Sequence, residues 1–324
     1  MLIQILFGII GILLLYYGAD YLVKGGVRIA EALHVPSIVI GLTLMAFATS
    51  APELVVSIDA ALKGNGEISL GNVIGSNISN IALILGVSAM IAPMRVHGNL
   101  LRFDVPMMIV ATGLLTVFCL FGHGISRINA AVLLLLFIFY NWKTVTTALK
   151  ERGKSNDAAT PDVSTAEPSA KPLPIYLALL MALGGILALV GGAKLFVNSA
   201  IFIARLLHVS DVVIGLTMVA VGTSLPELAT SVVAAYKGEN EIAVGNVIGS
   251  NIFNILSILG IAPLIRPIQA VGIQPIDLAA LCIFTLLILA MMVIRKAVDR
   301  WGAAVLLLSY IAYMALLALR TTGA

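Results

Sequence analysis

The sequence predicts an all-α membrane protein whose ten transmembrane helices form two inverted repeats of five. Its composition gives the first reason: 60% of the 324 residues are hydrophobic, 11% are charged, and the mean hydropathy is +1.08. A soluble domain carries about a quarter charged residues. Since a helix needs about 20 apolar residues to cross the hydrocarbon core, the apolar runs give ten predicted spans. These are residues 2–23, 37–62, 69–92, 103–122, 127–148, 174–198, 211–236, 242–265, 275–294 and 301–319.

The short connections between these spans leave no room for a soluble catalytic domain. The spans hold no Ser with a His partner, no paired catalytic Asp and no His cluster, so the sequence predicts neither an enzyme nor a bound cofactor. Cys119 and Cys282 fall in different spans and are predicted to pack as small apolar residues. The net charge of +3 comes from loop residues and gives no reason to expect nucleic acid as a partner. The lipid bilayer is the partner that this composition predicts.

Loop charges predict the orientation of the chain. Lys and Arg are more frequent in the loops after spans 1, 3, 5, 7 and 9 than elsewhere, which by the positive-inside rule places both termini outside the cytoplasm. The first apolar run follows no basic segment, and we expect a true span rather than a cleaved signal. Residues 150–173 are polar and rich in Pro and Ala, so they are predicted to form a cytoplasmic linker. The expected location is the inner membrane of the cell.

An internal repeat organises the sequence. A shift of 174 residues aligns residues 38–86 with 212–260 without a gap, and 31 of these 49 positions are identical. Each copy holds five predicted spans, an odd number, so the second copy must lie upside down relative to the first. Such inverted repeats are typical of secondary transporters. We therefore predict a first repeat over residues 1–149 and a second, inverted repeat over residues 174–324.

The identical positions are mostly small or polar. The string "TSAPEL" at 49–54 returns as "TSLPEL" at 223–228, and "GNVIGSN" at 71–77 returns at 245–251. Helical spacing places the polar residues in four stripes, one on each of spans 2, 7, 3 and 8. The stripes are Ser50, Glu53 and Ser57; Ser224, Glu227 and Ser231; Asn72, Ser76 and Asn80; and Asn246, Ser250 and Asn254. Beside them, Gly71 with Gly75 and Gly245 with Gly249 are predicted to let two helix backbones approach closely.

Each "TSxPEL" motif contains a proline that should break its helix. Pro52 and Pro226 have no N–H to donate to the carbonyl four residues back, and both disfavour helical geometry at the preceding residue. Such breaks free main-chain oxygens, which is tolerated at membrane depth where they line a cavity. Glu53 and Glu227 then begin the next half-helix, where the helix dipole favours an anion.

Two carboxylates within membrane spans predict a cation as the ligand. On insertion scales each would cost roughly 2.5–3.5 kcal/mol near the bilayer centre, so such residues are usually functional. The spans that carry Glu53 and Glu227 contain no Lys or Arg to neutralise them. The donors on offer are carboxylate, hydroxyl, amide and carbonyl oxygens, a set that suits a hard ion such as Ca²⁺.

The strings "TSAPE…GNVIGSNISN" and "GTSLPE…GNVIGSNIFN" resemble the two alpha-repeats of the calcium/cation antiporter superfamily, specifically its prokaryotic sodium/calcium exchanger branch. The resemblance covers both halves and implies Na⁺/Ca²⁺ exchange by alternating access, with four ion sites between spans 2, 3, 7 and 8. By matching position it implies these ligands: side chains of Glu53, Glu227, Thr49, Ser50, Ser76, Thr223, Ser224 and Ser250, and carbonyls of Ala46 and Ala220, with Asn80 and Asn254 bordering the central site. It also implies that spans 1 and 6 slide across the rest, which their glycines would permit: Gly8, Gly11, Gly18, Gly184, Gly185, Gly191 and Gly192.

Two positions depart from the pattern of the family. Ala48 stands where many relatives, and this chain's own Gly222, have glycine. Asn254 stands where several relatives, including potassium-dependent ones, carry an aspartate, which removes one titratable charge from the site. Potassium dependence is therefore not implied, and the sodium stoichiometry stays open.

Two other functions fit parts of the same pattern. An H⁺/Ca²⁺ antiporter would use Glu53 and Glu227 to carry protons, although the proton/calcium branch usually shows different strings around its glutamates. A passive cation channel would seldom need duplicated, inverted sites with broken helices.

Some charged residues in or near the spans lack a like-charged counterpart in the other repeat. Asp59, whose counterpart is Val233, lies about 240° around the helix from Glu53 and is expected to point away from the site. Asp20 and Lys194 occupy equivalent positions and are expected to be span-end residues whose side chains reach the headgroups.

Overall fold

The computed structural model describes residues 2–96, 98, 100–157, 174–207 and 222–322, and nearly all of them are helical. The helices are α1 Leu2–Leu33, α2 Ser37–Thr49, α3 Ala51–Leu62, α4 Gly66–Ile91, α5 Leu100–Phe121, α6 Arg127–Asp157, α7 Ile175–Leu206, α8 Leu225–Tyr236, α9 Asn240–Ile265, α10 Pro275–Arg295 and α11 Arg300–Thr322. Among these residues eight helices are long and apolar enough to cross a membrane, or nine if the bent pair of α2 and α3 is one span. The predicted span over 211–236 is described only from residue 222, so the count of ten stays a prediction.

Helices α1 and α7 continue past the predicted ends of spans 1 and 6, because each runs for 32 residues. At 1.5 Å per residue this is about 48 Å, well beyond the roughly 30 Å hydrocarbon core. Charged residues near the end of α1 suggested a loop, but they pair within the helix and support it: Lys24 with Asp20 at 2.8 Å and Arg28 with Glu31 at 2.9 Å.

Two further expectations about chain ends need correction. The side chain of Asp20 is only 13% exposed and pairs with Lys24 and Lys237, so it is held within the protein rather than extended to the headgroups, and its place at the end of a membrane span stays a prediction. Helix α6 continues to Asp157, so the first part of the predicted linker is helical. Residues 158–173 lie outside the described part of the chain, and the three predicted domain ranges stay predictions.

Helices α1 and α7 pack along each other at backbone distance through glycines. A Cβ added at Gly11 would lie 2.9 Å from the carbonyl oxygen of Gly192, and one added at Gly185 would lie 2.7 Å from that of Gly18. These contacts are equivalent under the 174-residue shift. Of the seven glycines predicted to permit sliding, these four form the contact, whereas Gly184 and Gly191 have nothing within 4 Å.

Four short strands tie the two halves together. They are β1 Met94–Arg95, β2 Gly124–Ile125, β3 Ile268–Gln269 and β4 Ala297–Val298. Strand β1 pairs antiparallel with β4, and β2 pairs antiparallel with β3. Each strand therefore pairs with one from the other half, in an arrangement that an approximate twofold relation between the halves produces. Helices α4 and α9, which carry the "GNVIGSN" strings, are the most buried of the long helices.

Candidate functional site

The site lies where two helices begin beside each other. Helix α2 ends at Thr49 and α3 begins at Ala51, with a bend of 44° between them. Ser50 leaves helical geometry there (φ −84°, ψ 5°), and Ser224 does the same before α8 (φ −87°, ψ 7°). Glu53 and Glu227 fall in the first turns of α3 and α8, where free N–H groups and the dipole stabilise an anion. The predicted break after residue 49, and the matching helix start at residue 225, are both present.

The two carboxylates are held by serines from the opposite repeat. The Ser50 hydroxyl donates to Glu227 Oε1 at 2.9 Å, and the Ser224 hydroxyl donates to Glu53 Oε1 at 3.2 Å. Ser224 also lies 3.3 Å from the Ser76 hydroxyl. All five side chains belong to residues that are at most 2% exposed. Each glutamate is thus positioned by the other half of the chain, so neither half forms the site alone.

Asparagines on α4 and α9 fix the backbones that carry the glutamates. Asn72 donates to the Ser57 hydroxyl at 3.2 Å and to the Glu53 carbonyl at 3.4 Å. Asn246 makes the equivalent bonds to the Ser231 hydroxyl at 3.0 Å and to the carbonyl of Glu227 at 3.5 Å. The four predicted stripes therefore converge in pairs, α3 with α4 and α8 with α9.

Thr49 joins the first repeat to α9. Its hydroxyl donates to Asn246 Oδ1 at 3.2 Å, lies 3.5 Å from the Ser250 hydroxyl, and also donates to the Met45 carbonyl at 3.0 Å. The carbonyl of Ala46 accepts the Ser50 N–H at 3.1 Å, which leaves its second lone pair for an ion. Its counterpart Ala220 lies outside the described residues.

Several buried oxygens of the site have no hydrogen-bond partner among the described residues: Glu53 Oε2, Glu227 Oε2 and Thr223 Oγ1. Leaving a buried donor or acceptor unpaired costs about 1–3 kcal/mol, and more for a charged group. No described Lys or Arg forms an ion pair with either glutamate. A bound cation would satisfy these buried, unpaired carboxylate and hydroxyl oxygens.

Asn80 on α4 and Asn254 on α9 lie at breaks in regular helix geometry. Both are fully buried, and their side-chain amides have no partner in the described residues. A π-helical turn covers Asn80–Ile84, another covers Phe253–Ile258, and a third lies in α2 at Gly41–Met45. Such turns are frequent at functional sites, and helical periodicity in the sequence gave no sign of them.

The two Gly-xxx-Gly pairs differ in what they contact. A Cβ at Gly245 would lie 2.8 Å from the Ile38 carbonyl, and one at Gly249 would lie 2.6 Å from the carbonyl of Leu42, so this pair allows α9 to approach α2 as predicted. Gly71 and Gly75 have no described atom within 4 Å. The segment equivalent to residues 38–46 is 212–220, outside the described residues, so close packing at the first pair stays a prediction.

The candidate cation ligands in the described part of the site are all oxygen atoms. No group of three His, Cys, Asp or Glu residues suited to a metal occurs in the described part of the chain, and the two glutamates are supplemented by hydroxyl, amide and carbonyl oxygens. Asp59 points away as expected, since its side chain is 56% exposed and pairs with Lys63 at 2.6 Å.

Known proteins are similar to this chain in sequence and in fold. The family model described as sodium/calcium exchanger protein matches residues 3–145 and 177–319. The chain is 34% identical to the putative antiporter CaxA of Alkalimonas amylolytica over 98% of this chain and 99% of that protein. It is 35% identical to the sodium/calcium exchanger MaX1 of Methanosarcina acetivorans, over 95% and 97%. Its fold matches a structure of the sodium-calcium exchanger NCX_Mj soaked with Na⁺ and Ca²⁺, with a TM-score of 0.83 and 36% identity over 97% of this chain and 98% of that one.

Proposed function

The chain belongs to the sodium/calcium exchanger family, and we propose that it exchanges Na⁺ for Ca²⁺ across the membrane by alternating access. It is a transporter of ions and not an enzyme. With an inward sodium gradient, the exchange would expel Ca²⁺ from the cell. The proposed setting is the inner membrane, with both termini outside the cytoplasm and residues 150–173 inside.

The ion site that we propose is the cluster around Glu53 and Glu227. One observation carries the proposal: each buried carboxylate has one oxygen tied to a serine of the other repeat and one oxygen unpaired in the described residues. The remaining proposed ligands are those implied by position, namely Thr49, Ser50, Ser76, Thr223, Ser224, Ser250 and the carbonyls of Ala46 and Ala220, with Asn80 and Asn254 at the border of the central site.

Charge balance gives the physical reason for coupled transport. Two carboxylates without a cation leave two negative charges buried, at a cost of several kcal/mol each. One Ca²⁺ cancels both charges, and monovalent Na⁺ ions that occupy the same oxygens do so as well. Only a loaded site can therefore be enclosed and turned to the other side of the membrane. Ca²⁺ and Na⁺ that compete for Glu53 and Glu227 thus exchange rather than leak.

Transport by the purified protein in proteoliposomes tests this function. Uptake of ⁴⁵Ca²⁺ is measured with an outward Na⁺ gradient, with an outward H⁺ gradient and with neither, at a clamped membrane potential. Sodium-driven exchange predicts uptake with the Na⁺ gradient alone. A passive channel would instead give uptake in the absence of any gradient, and an outward Na⁺ gradient would not increase its rate.

Proton coupling is the second candidate, because Glu53 and Glu227 are the only acidic residues among the proposed ligands and could each take a proton. It predicts that the H⁺ gradient alone drives uptake. Such a result would reject Na⁺ exchange and make the two glutamates the proton carriers.

A further inference from the structure

An ion pair joins the middle of α1 to the end of α8. Lys237, directly after α8, donates to Asp20, whose carboxylate also accepts from Lys24 on its own helix at 2.8 Å. The side chains of Asp20 and Lys237 are only 13% and 25% exposed, so solvent and salt screen this pair less than a pair on an open surface. Glu239, the other charged neighbour of Lys237, acts from the same loop and not from α1.

The equivalent helices α8 and α3 differ in how much of their surface is covered by other helices. Helix α1 packs extensively against α8, whereas the equivalent pair, α7 with α3, makes little contact. Thr230 and Val233 on α8 are 0% and 6% exposed, but their equivalents on α3 are open: Val56 is 38% exposed, and the side chain of Asp59 is 56% exposed. The structure is therefore one of two arrangements that an inverted repeat can adopt. In the other arrangement α7 would cover α3, and α8 would be uncovered.

The second arrangement has no equivalent ion pair, because the corresponding residues of the other repeat are both positively charged. Under the 174-residue shift, Asp20 corresponds to Lys194 and Lys237 corresponds to Lys63. The same shift relates the glycine contacts of α1 with α7, so it holds in the structure as well as in the sequence. In the second arrangement Lys194 would therefore approach Lys63, a residue of like charge that Asp59 already engages at 2.6 Å.

We propose that Asp20 and Lys237 form a one-sided latch that favours the arrangement in which α1 covers α8, and that Lys194 denies the opposite arrangement an equivalent pair. The inference rests on the alternating access proposed above. Under the proposed orientation, the loop that carries Lys237 faces the cytoplasm. The latch then biases the Na⁺-loaded exchanger toward the state that is closed on the cytoplasmic side, and each return to that state re-forms the pair.

Reactivity of a single thiol on α8 tests the latch without transport. Val233→Cys is placed in a chain with Cys119→Ala and Cys282→Ala, and its reaction with N-ethylmaleimide is followed in proteoliposomes with equal Na⁺ on both sides and no Ca²⁺, so that the loaded exchanger can move between the two arrangements. The parent is expected to react slowly, because α1 covers this position. Asp20→Asn should react about fivefold faster, the population change that loss of one ion pair worth about 1 kcal/mol gives.

Three further variants separate the latch from general damage to the fold. Lys24→Gln removes the other cation that binds Asp20 but keeps the pair between the helices, so it should not speed the reaction. The charge swap Asp20→Lys with Lys237→Asp should restore the slow reaction. Lys194→Asp leaves the latch intact but supplies an attraction to Lys63 in the second arrangement, and it should also speed the reaction.

The outcomes distinguish this inference from the proposed exchange. Equal rates in the parent, Asp20→Asn and Lys194→Asp, with Na⁺-driven Ca²⁺ uptake intact, would overturn the latch and leave the function standing. Shifted rates in a protein that fails to exchange Na⁺ for Ca²⁺ would support the latch and reject the function. If Asp20→Asn does not fold, Lys194→Asp decides the question, because it changes no contact of α1 with α8.

Discussion

Adjacent glycines on α7 allow a sharp test of how α1 and α7 pack. Gly185 faces α1, and a Cβ there would lie 2.7 Å from both the Gly18 carbonyl oxygen and the Leu22 nitrogen. Gly184 is its immediate neighbour, and a Cβ there would meet nothing within 4 Å. We therefore expect Gly185→Ala to force the two backbones apart, and Gly184→Ala to fit without strain.

The magnitude follows from two opposing effects. Alanine favours a helix interior over glycine by about 1 kcal/mol, so Gly184→Ala should be neutral or slightly stabilising. Gly185→Ala gains the same propensity, but the atoms in its way are backbone atoms, and overpacking typically costs about 1–3 kcal/mol. The net difference between the two variants is then about 1–3 kcal/mol in favour of Gly184→Ala.

Thermal unfolding in detergent measures this difference, at about 1.5 °C for each kcal/mol in a chain of this size. The second adjacent pair repeats the test: Gly192→Ala, whose Cβ would lie 2.8 Å from the Gly11 carbonyl, should be less stable than Gly191→Ala. If Gly185→Ala and Gly192→Ala unfold at the same temperature as their neighbours, then the close packing of α1 on α7 is wrong.

Three other predictions concern the site and its surroundings. Ser224→Ala removes the hydroxyl that donates a hydrogen bond to Glu53. Because hydrogen bonds to charged groups are worth about 1.5–3 kcal/mol, the half-saturating Ca²⁺ concentration for Na⁺-driven uptake should rise at least tenfold. The control Ser231→Ala loses only a hydrogen bond with an asparagine and should change that concentration far less. Asn254→Asp adds a carboxylate at the border of the proposed ion site and should alter the Na⁺ or K⁺ dependence of uptake, whereas an unchanged ion profile would show that Asn254 is structural. Burial, and then two neighbouring glutamates, raise the pKa of Glu239, so the folded protein binds its proton more tightly than the unfolded chain does. Its charged form then destabilises the fold above the folded pKa, and Glu239→Gln should raise the melting temperature at neutral pH by an amount that shrinks on acidification.

The parts of the fold that were predictable are those that depend on local sequence. Apolar runs place the helices, and prolines place the break before Glu53 and the start of α8, because a missing N–H acts wherever the proline lies. The repeat predicts that the two halves contribute equivalent residues to one site. The crossed bonds, Ser50 to Glu227 and Ser224 to Glu53, are the three-dimensional form of that equivalence.

The parts that sequence reasoning missed depend on long-range contacts. The positive charges of Lys24 and Arg28 suggested the end of a span. In the structure, ion pairs within the helix and packing on α7 extend α1 to Leu33. The partner of Asp20 could not be found from spacing, because Lys237 is 217 positions away. A comparison of the repeats did carry one signal, since unmatched charges at equivalent positions mark places where the two halves are used differently.

The most direct test of the central claim is Na⁺-driven ⁴⁵Ca²⁺ uptake by Glu53→Gln and Glu227→Gln beside Glu67→Gln. All three variants make the same change of side chain, but Glu67 is exposed in the first turn of α4. The account predicts that uptake is lost in the first two variants and retained in the third. Near-normal uptake in either Glu53→Gln or Glu227→Gln would contradict it.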